Sequence, residues 1–364
     1  MERSLLKELT KANVEAYVNA AKEQYLKRLF WNQFFPLKPT TQLTWESLSG
    51  SSGAPVMADV VEYNSTAPLK TRRVVSKATG DIPKIAIKRK MDEKDYNDYL
   101  VLKSNALGDA NKSALLDIVF NDIDFALQGV YARTEFLAMQ ALSYGSISLT
   151  TSNNNGIVTT TAVDFGIPSG NKTAAAVSWA TAASATPIAD ITGIVESARE
   201  AGYDLNYIVM NRATLRLMLA TTEVKDKYAF FQRITGSRKA DLSFSDLNSM
   251  LEAYMLPKVV VVDSSVRFEN SAHTLSTVSP WKAGYIALVP DLKVGQFLHG
   301  PIAEENSEGL RKTAIMTKTQ HVLITKWSEI EPFGEYTKGQ ANAFPRFTDV
   351  NGIYLMKHDA TSWS

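Results

Sequence analysis

The sequence predicts an α+β chain, and three observations carry that prediction. Apolar residues keep a helical period from Leu116 to Ala141, long for a helix inside a compact domain. A β-prone segment ahead of it, Thr41 to Lys90, has few large apolar side chains. A compact alternation of helix and strand signals starts at Pro187 and gives way to strand signals up to Met356. Hydrophobic residues make up 45% of the 364 and charged residues 21%, which is enough apolar material for a sizeable core and excludes a disordered chain.

From the N-terminus, Ser4 to Leu29 is expected to form a helix with a thin apolar stripe of Leu5, Leu9, Ala12, Ala16 and Ala20. Three alanines bury little area, so this helix needs a neighbour. An aromatic knot follows, Phe30, Trp31, Phe34 and Phe35, and Pro36 and Pro39 then force extended chain. After a Ser/Gly loop (Ser47 to Gly53) the strand candidates are Val60-Val61, Val74-Val75 and Ile82 to Ile87. A ribbon of that kind is barely stable alone, so it reads as an arm that folds against something outside its own subunit. The long helix is capped by Asp109 or Asn111 and runs to Gly145 through Leu116, Val119, Phe120, Ile123, Leu127, Val130, Leu137 and Ala141. Asp117, Asp122, Asp124, Arg133 and Glu135 fall largely off that stripe.

Two β-prone runs, Ser146–Thr151 and Gly156–Phe165, flank an Asn-rich hairpin signal. An Ala/Ser/Thr-rich connector spans about 170–186. Helices are then expected at 188–201, 213–220 and 246–254, with strands at 207–210 and 258–262 between and after them. The closing strands are expected at 285–289, 314–319, 321–326 and 352–356. No internal repeat is present.

Several function classes are excluded or weakened. Basic and acidic residues number 39 and 38, for a net charge of +1, whereas a nucleic-acid gripper needs a clear basic excess; contact with DNA is expected to be local and weak. The absence of cysteine removes disulfides, thiolate nucleophiles and Cys-ligated zinc. Lys7, Glu8 and Lys11 interrupt the apolar run that a signal peptide requires, and no stretch reaches membrane-span length. The expected compartment is therefore the cytoplasm in which the chain is made.

Enzyme-like motifs are few. Gly166 to Thr173 resembles a phosphate loop, but Asn171 stands where glycine must precede Lys172-Thr173, and Pro168 removes an N–H donor; it reads as a flexible connector. His273, His299, His321 and His358 show no metal-ligand spacing and are expected solvated or at the core rim. Asp122/Asp124 and Glu304/Glu305 are read as solvated charge, because residues i and i+2 on a helix do not converge. No catalytic, cofactor or metal residue is assigned. The candidates for contact between subunits are the basic residues Arg72, Arg73, Lys84, Lys88, Arg89 and Lys90 and the aromatics Phe30, Trp31, Phe34 and Phe35. The basic run is expected to dock on acidic groups of an adjacent subunit.

Three local motifs, in order along nearly the whole chain, resemble the lambda-type major head protein E family of tailed phages. These are the knot running into extended chain, Phe30 through Trp45; Val163-Asp164-Phe165-Gly166 with Trp179 and Pro187-Ile188-Ala189-Asp190-Ile191; and Gly295, Gly300-Pro301, Lys326-Trp327 and Glu331-Pro332. The resemblance implies a Hong Kong 97-type capsid fold. Its parts would be an N-terminal arm (1–45), an extended E-loop hairpin (46–100), a P-domain with spine helix and hairpin (101–186), an α/β A-domain (187–303), and returning P-domain strands with the C-terminus (304–364). It further implies hexamers and pentamers of an icosahedral virion shell around double-stranded DNA, assembled in host cytoplasm, and no catalysis. The implied partners are other copies of the chain, a separate scaffolding protein, a portal, a decoration or head-stabilising protein, and weakly bound DNA. No Lys–Asn cross-link is expected. The alternatives are an encapsulin-type nanocompartment shell, another virion component such as a portal, and a cytoplasmic α/β enzyme using Pro187–Val262 as a nucleotide site.

Overall fold

A computed structural model describes residues 4–6, 10–49, 76–104, 109–155, 162–233 and 242–363. The strands expected at Val60-Val61 and Val74-Val75 lie outside these residues, as do Arg72 and Arg73. Helix α1 (Lys11–Leu26) starts at Thr10, whose hydroxyl accepts from Asn13 N–H and so satisfies a free donor of the first turn. Its buried face is not the expected alanine stripe. Ala12, Ala16 and Ala20 are exposed, and Val14 and Val18 are buried with Tyr17 and Tyr25 beside them. The larger side chains remove more apolar area from water, so they decide which way the helix turns.

The short helix α2 (Trp31–Phe34) and strand β1 (Leu37–Pro39) follow. Strands β2 (Thr44–Ser49) and β3 (Ser76–Asp81) pair antiparallel, and β4 (Lys84–Met91) continues from them. Helix α3 (Glu93–Ser104) was not anticipated, since only Tyr99 is buried and no apolar period marks it. Asp92 and Asp95 start it by each accepting the other's backbone N–H. Helix α4 (Asp109–Tyr144) has 36 residues, so it is roughly 54 Å long. Ile123, Leu127, Val130, Leu137 and Ala141 of its expected stripe are buried. Gly145, at φ +72°, ends it in the left-handed conformation that glycine adopts without penalty.

Beyond it, β5 (Ser146–Ser148) and β6 (Ala162–Asp164) form the expected hairpin, and β7 (Lys172–Ala174) follows. The α/β part contains α5 (Pro187–Glu200), β8 (Tyr207–Met210), α6 (Arg212–Ala220), α7 (Thr222–Phe231), α8 (Phe244–Ala253) and β9 (Lys258–Val261). Then come the ribbon β10 (Val266–Glu269) and β11 (Leu275–Val278), followed by β12 (Tyr285–Val289), β13 (Gly295–His299) and α9 (Glu308–Thr313). The chain closes with β14 (Ile315–Thr319), β15 (Val322–Ile330), β16 (Phe333–Phe347) and β17 (Tyr354–Lys357).

Two sheets organise these elements. The first has the order β1-β13-β16-β15-β14, with β4 also alongside β16. Its central strand β16 was not anticipated, because Gly334, Gly339, Asn342 and Pro345 disguise it; pairing on both sides overrides their low strand propensity. Helix α4 lies directly on this sheet at Gly339, where a Cβ would stand 2.3 Å from the Ala126 carbonyl oxygen. Backbone cannot yield as a side-chain tip can. Gly339→Ala is expected to cost about 3 kcal/mol by overpacking, read as a lower urea midpoint with an unchanged m-value.

The second sheet has the order β7-β17-β12-β8-β9. One face, with Ile208, Met210, Ile286 and Leu288, packs on Ile191, Val195, Met218 and Leu247 of α5, α6 and α8. The other face, with Val209, Ala287, Val289 and Leu355, joins the core of α4 and the first sheet. Two strands depart from the expected grouping: β13 (within 187–303) pairs into the first sheet with β1 and β16, and β17 (within 304–364) pairs into the second with β12 and β7.

Candidate assembly interface

The aromatic knot is internal. Trp31, Phe34 and Phe35 are 0% exposed and Phe30 is half-buried. Three of the four expected contact aromatics are thus committed to the subunit's own core, and Phe30 alone keeps partial exposure. The cause is Glu135 on α4. Its Oε2 accepts from Phe30 N–H at 3.0 Å and Trp31 N–H at 2.8 Å, and its Oε1 accepts from Ser264 Oγ at 2.6 Å. A carboxylate at the start of α2 satisfies donors that a four-residue helix leaves free, and thereby ties three distant chain segments together. Desolvation pushes the Glu135 carboxyl up, against the three hydrogen bonds that pull it down.

The basic run divides by strand alternation. Arg89 turns toward α4, where it donates to Asn121 Oδ1 at 2.6 Å, meets Asp122 Oδ1 at 3.4 Å and lies over the Phe125 ring. Asp122 is 8% exposed, and Asp124 accepts from the Tyr17 hydroxyl at 2.5 Å. Both were expected as solvated charge; both are tied into the fold, because β4 reaches Asp122 through Arg89 and α1 reaches Asp124 through Tyr17 from different sides of α4. An open groove of about 400 Å³, lined by Arg89, Lys90, Met91, Asp95, Asp98, Ile118, Asn121 and Asp122, runs beside this pair. Lys84, Lys88 and Lys90 turn the other way. Lys84 meets Glu304 at 3.6 Å, and Lys88 and Lys90 sit 5.0 and 5.8 Å from the Tyr336 ring centre. Glu304 also accepts from Lys338, and Glu305 from Lys318 at 2.7 Å, so this second carboxylate pair is engaged as well.

The remaining candidates for chemistry resolve into packing. Lys172-Thr173 opens strand β7, paired with β17, where a phosphate loop would open a helix. The Asn171 amide donates to Asn351 and Ile353 carbonyls. His321 and His358 lie in the core and not at its rim, at 1% and 3% exposure. His321 Nε2 is 3.2 Å from Thr134 Oγ1, and its ring packs edge-on to Trp31 and Tyr131. Burial brings its imidazole down to about 3. His358 contacts Thr214 Oγ1 at 2.8 Å, and burial lowers it too. Among the described residues, no group of three His, Asp or Glu is arranged to hold a metal, and no helix is long and apolar enough to cross a membrane.

The family-like motifs each perform a physical task. Asp190, in the first turn of α5, accepts from Ala176 N–H and from Trp179 Nε1; this docks the connector on the helix that Pro187 opens. Asp164 accepts from Gly166 N–H, and Phe165 fills an aromatic cluster with Trp45, Phe344 and Phe347. Gly295 admits the Arg346 carbonyl, 2.1 Å from where a Cβ would stand. Lys326 is buried against Glu335 at 3.4 Å and donates to Thr337. Glu335 in turn accepts from Ser4 Oγ and Leu5 N–H. Sequence reasoning missed Glu135 and the Lys326–Glu335 pair; Glu135 was expected largely off the apolar stripe of α4, yet it is fully buried, because α2 and Ser264 close over that side of the helix.

A family profile described as phage major capsid protein E matches residues 10–357. Among solved structures, the fold is similar to the putative capsid protein of a prophage of E. coli CFT073, at 15% identity and TM-score 0.57, covering 96% of this chain and 99% of that one. It is also similar to a phage-related protein from Bordetella bronchiseptica RB50, at 14% identity and TM-score 0.51, covering 99% of each. No curated protein matches. The structural likenesses concern the fold, which is the phage capsid fold expected from the motifs. With the profile spanning all but the two ends, the chain belongs to the phage major capsid protein E family.

Proposed function

We propose that this protein is the shell subunit of a tailed-phage head and performs mechanical work with no catalysis. Copies form hexamers and pentamers, and these close into an icosahedral shell around double-stranded DNA. Closed point-group symmetry halts growth, and a net charge of +1 keeps the wall from adhering to its cargo. Assembly takes place in host cytoplasm on a separate scaffolding protein, with a portal at one vertex and a decoration protein added outside. Within 46–100 the part ahead of β4 forms the arm that crosses a neighbour, while β4 stays in the subunit's own sheet; 101–186 and 304–364 form the peripheral domain, and 187–303 the axial domain.

The observation that carries this reading is the profile match over residues 10–357. The 36-residue strut α4, laid on a sheet, supports it as a member suited to bear load. The test is negative-stain electron microscopy with light scattering on the purified protein, with and without candidate scaffold. Closed shells or capsomers are the expected result; a monomer or dimer that never assembles would overturn it.

A further inference from the structure

The face of the first sheet turned away from α4 carries an ordered array of lysines. Alternate residues of β4 place Lys84, Lys88 and Lys90 there, about 6.7 Å apart at each two-residue step. The register sets Lys338 of β16 directly opposite Lys88, and Tyr336 opposite Lys90. Trp327 of β15 lies opposite Tyr336, with their rings stacked at 5.3 Å. The ammonium groups of Lys88 and Lys90 lie over Tyr336 and that of Lys338 over Trp327, so the rings hold the charges in place. Like charges directly opposite on paired strands are destabilising. At one end of the face the chain relieves this itself: the turn Ala303–Asn306 brings Glu304 to Lys84 and Lys338 and Glu305 to Lys318. Among the described residues, Lys88 and Lys90 have no carboxylate partner.

We propose that this lysine face docks the acidic N-terminal half of α3 from a second copy of the chain. Asp92, Glu93, Asp95 and Asp98 are all exposed, with Lys94 the one cation among them, and none pairs with a lysine or arginine of the described residues. Leu100 and Val101, further along the same helix, are 43% and 58% exposed and supply apolar area beside the charges. Helix α3 starts two residues after β4 ends. Each subunit therefore carries both a positive face and a negative helix start, the two complementary patches that a head-to-tail contact between identical copies uses. Carboxylates from Glu304 and Glu305 already occupy one end of the face, so its geometry accepts carboxylates. Nucleic acid fits less well, since the ammonium groups cover the ring faces on which bases would stack. The inference rests on the shell reading.

The test is a charge swap in the full chain, under conditions where the wild type assembles. Lys88→Glu with Lys90→Glu is expected to reduce assembly at least tenfold at ~0.1 M salt, as is Glu93→Lys with Asp98→Lys, which leaves the Asp92–Asp95 cap intact. Combining all four substitutions is expected to restore assembly. The proposal is overturned if either pair assembles like the wild type, if the combination does not recover, or if the lysine variants assemble normally and lose only DNA. Thermal melts of unassembled variants check folding. Should the glutamate pair fail to fold, Lys88→Gln with Lys90→Gln replaces it, and unchanged assembly then overturns the proposal. A wild type that never forms shells overturns the shell reading instead, before any variant is made.

Discussion

Lowering the pH from 6.5 to 3 is expected to remove about 4 kcal/mol of stability through His321 alone. Its imidazole is about 3 in the folded chain against 6.5 for the free group. Between those values the unfolded chain binds a proton that the folded chain refuses. The stability is therefore fully present above pH 6.5, is lost as pH falls, and is gone by about 3. The physical cause is local. Thr134 gives its hydroxyl proton to the Val130 carbonyl, so His321 Nε2 must be the donor between them. Nδ1 is then left as a buried nitrogen with no partner, and a second proton there would face rings. Urea unfolding at intervals from pH 7 to 5, where carboxylates contribute little, measures the slope. His321→Gln should reduce it, the remainder coming from the other histidines that burial lowers, His299 and His358, and an equal slope in both proteins would refute the assignment.

Glu135→Leu is expected to cost about 4 kcal/mol, because it strands two backbone N–H groups and one hydroxyl inside the core. Glu135→Gln should cost only about 1–2 kcal/mol, since its amide oxygen still accepts while the buried charge is removed. The contrast between the variants is the informative result. If both lose the same amount, the carboxylate acts as filler and not as the acceptor that holds α2. Hydrogen exchange gives a second readout, as the Phe30 and Trp31 amides should lose protection in the leucine variant first.

Much of the fold was legible. The long helix appears at 109–144 and the α/β helices and strands fall within a few residues of expectation, because each carries a strong local period or a cap such as the Ser243–Asp246 box. The misses share one cause. Strand β16 and helices α3 and α7 have weak patterns of their own and form where a neighbour completes them. The alanine stripe of α1 was the wrong face because Phe120, which stacks on Tyr17 at 4.2 Å, is far away in sequence. The candidate site was legible in composition and not in direction: the lysines were named, but strand alternation sends Arg89 inward to Asp122 and Lys88 and Lys90 outward.

By itself the sequence determined the α+β class, the overlong strut, the motifs that resemble phage capsid proteins and the near-neutral charge, all of which depend on residues close in the chain or on simple counts. Only the tertiary structure decided that the aromatic knot is enclosed, that His321 and Glu135 are buried, and that Lys338 stands against Lys88. Those outcomes depend on registers and helix rotations set by many weak contacts between distant residues, and a buried charge is stable or ruinous according to partners that no local pattern names.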